Sequence, residues 1–396
     1  MKVFSAVLEN GQHVRYIDRK RYWWLLSVLY PLQPFASIYL HFRTGNQVWL
    51  LLPLFVAYVI NPICDHLVGK DSNNPPKEIV EQLEHDHFYR ILTFVVVPIH
   101  VASLIGTAWW AGTQELSWWA FTGLAISAGL NSGLAINTGH ELGHKNTKLE
   151  RTLAKIALAV PLYGHFSTDH NRGHHTHVAT PKDPASARMG ESIYRFAVRE
   201  IPGGFCRAWE IEKSRLQQKR FSVWHRDNQV LESLCLGLIL QTCLLYGFGL
   251  KLLPFLLLHN IFAWWQLTSA NYVEHYGLLR EKLKTDQYER CKPHHSWNSN
   301  HLFSNLVLFH LERHSNHHVY PMRRYQSLRH DANQPTLPTG YFGSYLLAWI
   351  PPLWYSVMHP KLLALPHIKG ELSKVNIDPL QKEAIFRQYD VDRCLE

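Results

Sequence analysis

The chain has 396 residues, 46% of them hydrophobic, enough for two or three soluble domains, yet its apolar residues gather into long runs, which marks a membrane protein. Six cysteines form no CxxC pair or regular spacing, a pattern that suggests neither a disulfide framework nor a thiolate metal site. The net charge of +9 reads first as the excess of Lys and Arg in cytoplasmic loops, and second as a docking face for an acidic soluble partner.

The fold class expected is an all-α membrane protein, with six transmembrane helices and a cytoplasmic cap that carries histidine boxes. The six apolar runs are 22–41, 47–65, 91–111, 118–136, 231–247 and 252–272. Near-neutral mean hydropathy does not contradict this, because polar segments dilute the runs. Arg19, Lys20 and Arg21 abut the first run and place that end in the cytoplasm; an even span number leaves both termini inside. The first run follows polar residues and has spanning length, so it reads as an uncleaved signal. Trp23, Trp24, Trp109, Trp110, Trp118 and Trp119 stand at span ends as interfacial anchors. Residues 1–20 form a cytoplasmic N-terminal segment, 21–138 the first four helices, and 139–230 a cytoplasmic block. Residues 231–273 hold the last two helices, and 274–396 a second cytoplasmic block with the C-terminal segment. Within these, 71–76 reads as a turn, 77–90 as amphipathic, and 153–163 as an interfacial stretch too short to span. Residues 341–358, broken by Pro351 and Pro352, read as a surface or re-entrant segment.

Of 26 histidines, seven fall between His140 and His177 and seven between His294 and His318, a clustering that points to metal. The first box, NTGHELGHK at 137–145, continues the fourth span. If the helix persists, His140 and His144 share a face and can bind one ion. The second, DHNRGHH at 169–175, repeats an i, i+4 pair with His170 and His174 and adds His175. The third, ERHSNHH at 312–318, spaces His314, His317 and His318 at i, i+3, i+4, and His275 closes the sixth span. One His pair alone is more often a polar helix end; three boxes and a fourth site at one membrane depth are not. Imidazole suits zinc, copper, iron and nickel alike, so ligand type leaves the metal open. His140-Glu141-Leu142-Gly143-His144 also fits HExxH, a zinc protease signature, but a protease leaves the other histidines unexplained. A metal transporter is the non-enzymatic alternative.

These boxes, with ATPKDPASARMGES at 179–192, NYVEHYGL at 271–278, and PHHSWNSNH at 293–301 followed by LERHSNHH at 311–318, resemble the membrane fatty-acid desaturase and hydroxylase superfamily, and more closely its bacterial alkane 1-monooxygenases. The resemblance covers about residues 20–335. It implies a six-span protein of the bacterial inner membrane that oxidises medium-chain alkanes to primary alcohols with O2 and two non-haem irons. Position by position it assigns His140, His144, His170, His174, His175, His275, His314, His317 and His318 as ligands. Asn316 stands where the family often has an acid, and Asp169 where it often has Glu. Aromatic side-chain hydroxylases of the xylene type and fatty-acyl hydroxylases or desaturases are the alternatives within the superfamily.

A terminal alkane carbon-hydrogen bond offers no polar handle, so side-chain acid-base chemistry cannot attack it, whereas a redox metal with O2 can. Glu141, Asp169, Glu274 and Glu312 are expected to orient imidazole N–H groups. His177 has no counterpart in the family pattern. His165, His294, His295 and His301 are expected to play supporting roles, His301 foremost, and His310 is an intermediate case. Lacking a fused CxxC module, the chain needs an external donor; the resemblance implies rubredoxin, reduced by an NADH-dependent reductase. Arg313, Arg323 and Arg324 are candidates for its basic docking face. Above His140 the fourth span carries Ile136, Gly133 and Gly129, where a groove could admit the alkane; the competing reading is that GxxxG packs two helices closely.

Overall fold

The computed structural model describes residues 1–389, so Cys394 lies outside the described residues. The chain opens on a hairpin, β1 (Lys2–Val7) antiparallel to β2 (His13–Asp18), with Lys2 opposite Asp18. This corrects the all-α expectation. Val, Phe, Tyr and Ile residues favour a pleated strand, and Phe4 is buried in one cluster with Tyr89 and Tyr325 among others.

Residues 21–44 are a broken helical run, from Arg21–Leu25 to α1 (Gln33–Thr44). Pro31 and Pro34 each lack the N–H that a continuous helix needs. The helical stretch α2 (Gln47–Val68) follows, then α3 (His87–Thr113) and α4 (Trp118–Gly143). Asp86 caps α3 through the Phe88 amide, so this helix starts a turn before residue 91 and absorbs the tail of the expected amphipathic segment. Next come α5 (Lys148–Ala159), α6 (Ile193–Gln218), α7 (Gln229–Phe248) and α8 (Leu253–His275). Among the described residues, α2, α3, α4 and α7 are the helices long and apolar enough to cross a membrane. α8 has the length but buries His259, Asn260 and Gln266 along it.

The α4 and α8 helices pack closely because α4 offers glycine at the contact. A Cβ on Gly129 would lie 2.6 Å from the His259 carbonyl oxygen, and one on Gly133 would lie 2.6 Å from the Gln266 Cβ. The stretch expected at the interface belongs to α5, whose Ala154, Ala157 and Leu158 are buried. Two further helices, α9 (Tyr341–Ala348) and α10 (Pro351–Leu363), cover 341–358 and correct the surface half of the surface-or-re-entrant reading. Tyr341, Phe342, Tyr345, Trp354 and Met358 belong to the main core with Tyr272 and Tyr276. Two tryptophans expected at the membrane interface are core residues instead: Trp24 meets His310 and Tyr325 edge-on, and Trp110 donates to His41 Nδ1 at 2.9 Å.

Candidate metal centre

The helix α4 carries His140 on its last turn and is capped by His144, so the two rings share a face with centroids 5.0 Å apart. The second box does not keep α-helical spacing. Residues His170–His174 form a π-turn, which brings positions i and i+5 together. His170 pairs with His175, Nε2 to Nε2 at 3.1 Å. His174 points away from them, a correction to the expected His170 and His174 pair. In the third box, helix His314–Val319 sets His314 and His318 at 2.9 Å, with His275 of α8 at 3.2 Å from His314. His317 turns the other way, to 3.0 Å from His140 and 3.3 Å from His175.

The result is two adjacent groups, in each of which all the ligating atoms lie within 4.8 Å of one another: His140, His144, His170, His175 and His317, and beside it His174, His275, His314 and His318. Burial pushes His144, His170, His175, His314, His317 and His318 well below the ordinary imidazole range, so these rings are neutral and their lone pairs available. The five Nε2 contacts of 2.9 to 3.3 Å just given cannot all be hydrogen bonds, because each nitrogen offers one proton or one lone pair. His144 Nε2 and His174 Nε2 are buried with no partner. A cation within each group resolves both problems. At metal–nitrogen distances of roughly 2.0–2.1 Å, neighbouring ligand nitrogens lie roughly 3 Å apart.

A sequence profile described as fatty acid desaturase matches residues 116–343. The alkane 1-monooxygenase of Pseudomonas putida is 51% identical over 97% of this chain and 95% of its own length. That of Ectopseudomonas oleovorans is 52% identical over 94% of this chain and 93% of its own. The chain belongs to the alkane 1-monooxygenases of the fatty acid desaturase family. The hydroxylase component of the Pseudomonas putida xylene/toluene monooxygenase is more distant, 31% identical over 61% of this chain and 64% of its own length.

All nine histidines that carry the family resemblance fall in the two groups. His177 is in neither. Nor is His301, whose Nδ1 lies 2.7 Å from the Ser299 hydroxyl, or His310, which donates to the Tyr325 carbonyl. His294 and His295 cluster with Glu289 instead, while His165 stacks edge-on against Phe205.

Three of the four acids expected to orient imidazoles bond elsewhere. Glu141 pairs with Lys145 at 3.0 Å and accepts the Tyr325 amide, so it is not free to activate water as a metalloprotease would require. Asp169 is clamped by Arg207 at 2.5 and 2.9 Å. Glu312 accepts the Tyr341 amide at 2.7 Å and joins the third box to α9. Glu274 does approach a ring, but at the nitrogen that faces the metal group: its Oε2 lies 3.3 Å from His314 Nε2, and its Oε1 is buried without a partner. Asn316 accepts from Arg323 and from the Arg329 amide. The acid that sequence reasoning missed is Asp183, which accepts from His174 Nδ1 at 2.9 Å. It lies in the KDPAS part of a motif quoted for the family, the one signal that could have found it.

A narrow, largely apolar cavity runs beside the histidines between α4 and α8. It is lined by His140, His170, His314 and Glu274, by Gly133, Leu134 and Ile136 of α4, and by Phe342 and Tyr345 of α9. Gly133 and Ile136 therefore line it as the groove reading expects, but Gly129 does not. Gly129 faces the α8 backbone, because that close helix crossing leaves no space beside it. Arg313 corrects the basic-face expectation: it is 2% exposed, and its guanidinium donates to the carbonyls of Leu328 and Asp71. Arg323 and Arg324 are partly exposed, near Glu84 and Glu150 respectively.

Proposed function

We propose that this chain is a di-iron monooxygenase that hydroxylates the terminal carbon of medium-chain n-alkanes, with O2 as co-substrate and rubredoxin, recharged by its NADH-dependent reductase, as donor. The observation that carries the reading is an apolar cavity lined in part by histidines of both groups. When bound, two irons would supply the shared electrons needed to split O2 and place one of its oxygens on carbon. The chain's own residues do the rest. Leu134, Ile136, Leu308 and Phe342 exclude water and hold an extended chain, so that only its end reaches the histidines. Asp183 fixes His174 with its proton on Nδ1 and its lone pair toward the group.

Among the described residues, no Lys or Arg lines this cavity, so a fatty acid or acyl-CoA headgroup would find no counter-charge there. That favours an alkane over a fatty-acyl substrate; the shorter and weaker match to the xylene enzyme favours it over an aromatic one. The proposed arrangement is six spans in the bacterial inner membrane: residues 21–44, α2, α3, α4, α7 and α8. The blocks 139–230 and 274–396, the metal groups and both termini then face the cytoplasm, consistent with Arg19, Lys20 and Arg21 before the first span.

The test is reconstitution with rubredoxin, reductase and NADH, followed by gas chromatography of products from octane, xylene and palmitate. 1-Octanol as the main product is expected. Exclusive oxidation of xylene or palmitate would replace the substrate assignment.

A further inference from the structure

The two histidine groups differ in what stands behind them. His174, of the four-histidine group, is backed by Asp183, which is fully buried. The same carboxylate takes the Ser186 hydroxyl at 2.6 Å and Arg207 Nη1 at 2.7 Å, and Arg207 reaches on to Asp169. Gly173 makes room for this chain: a Cβ there would lie 2.4 Å from Arg207 Nε. Glu274 also belongs to this side, beside His314. Among the described residues, no carboxylate lies within ion-pair distance of His140, His144, His170, His175 or His317.

An anion that accepts from Nδ1–H makes the other ring nitrogen a stronger donor to a metal, and favours the more highly charged state of that metal. We propose that Asp183, acting through His174, makes the four-histidine site the more electron-rich of the two, so that its iron is the first to be oxidised and the last to be reduced. This rests on the di-iron reading. Asp183 is a positioning residue: it touches neither substrate nor metal, and the link Ser186–Asp183–His174 sets its strength.

The experiment is a reductive titration of the holoenzyme loaded with isotopically enriched iron, followed by Mössbauer spectroscopy, on wild type, Asp183→Asn and Ser186→Ala. Asparagine keeps the shape and an acceptor for His174 but removes the charge. The expected result is two iron environments in wild type that reduce one after the other. In Asp183→Asn the later one moves toward the earlier, and its affinity in chelator competition falls about ten- to a hundredfold; the other iron is unchanged. In Ser186→Ala, loss of a competing donor on the same carboxylate oxygen moves the later environment the opposite way. A merely structural role would shift both variants in one direction, or both irons together, and either outcome overturns the proposal, as does no shift at all. If Asp183→Asn does not accumulate, the sign of the Ser186→Ala shift decides. Wild type that binds fewer than two irons would instead refute the di-iron reading itself.

Discussion

Glu200 tests the electrostatics of the site without touching a proposed ligand. It lies on α6, fully buried, where Thr268 donates to its Oε2 at 2.8 Å and Asn271 to its Oε1 at 3.0 Å. Burial, with no cation to offset it, pushes its carboxyl up to about 7 from 4.5, although the two hydrogen bonds lower it. A raised acid stabilises the fold relative to the ionised state below pH 4.5, and that contribution is lost as the pH rises through 7. The shift corresponds to about 3 kcal/mol. Glu200→Gln should mimic the neutral acid, with its amide N–H toward Thr268 and its carbonyl toward Asn271. In detergent, its melting temperature should match wild type near pH 5 and exceed it by a few degrees at pH 8. Parallel curves across that range, or a variant less stable at pH 8, would show that Glu200 folds as a carboxylate and that this reasoning is wrong.

Removing His175 should cost iron and turnover, whereas His177→Ala should keep most of both; equal losses by metal analysis would mean that the second box has been assigned in the wrong register. Gly129→Ala forces a Cβ against the His259 carbonyl and should cost about 1–3 kcal/mol, read as lower melting temperature with an unchanged chain-length profile. Gly133→Ala, which lines the cavity, should in addition shorten the longest alkane oxidised, and a Gly129 effect on chain length alone would restore the groove there. At limiting rubredoxin, turnover should fall with ionic strength; salt-insensitive reduction would remove the charged docking face. Zinc should fail to restore activity to metal-free protein, and zinc-supported hydroxylation without iron would remove the redox assignment.

That these nine histidines come together was legible through the family resemblance, which singles them out position by position. How the nine divide was not. The i, i+4 spacing suggested His170 with His174, and only the π-turn at His170–His174 shows that His175 takes that place. Asp183 escaped notice because an aspartate in a Lys, Pro and Ser-rich loop looks solvated until Arg207 and His174 are folded onto it. Arg313 looked like a surface charge for the converse reason: its carbonyl partners come from residues 71 and 328, distant in sequence. Four apolar helices follow from run length alone, but the proline-broken stretch 341–358 gives the same signal in a packed core as at a surface.

The two histidine groups are proposed to hold two irons, one in each. X-ray diffraction of the purified holoenzyme at the iron absorption edge tests this most directly. Two anomalous peaks are expected, one among His140, His144, His170, His175 and His317 and the other among His174, His275, His314 and His318. A single peak, a peak at zinc rather than iron, or iron bound outside these groups would contradict it.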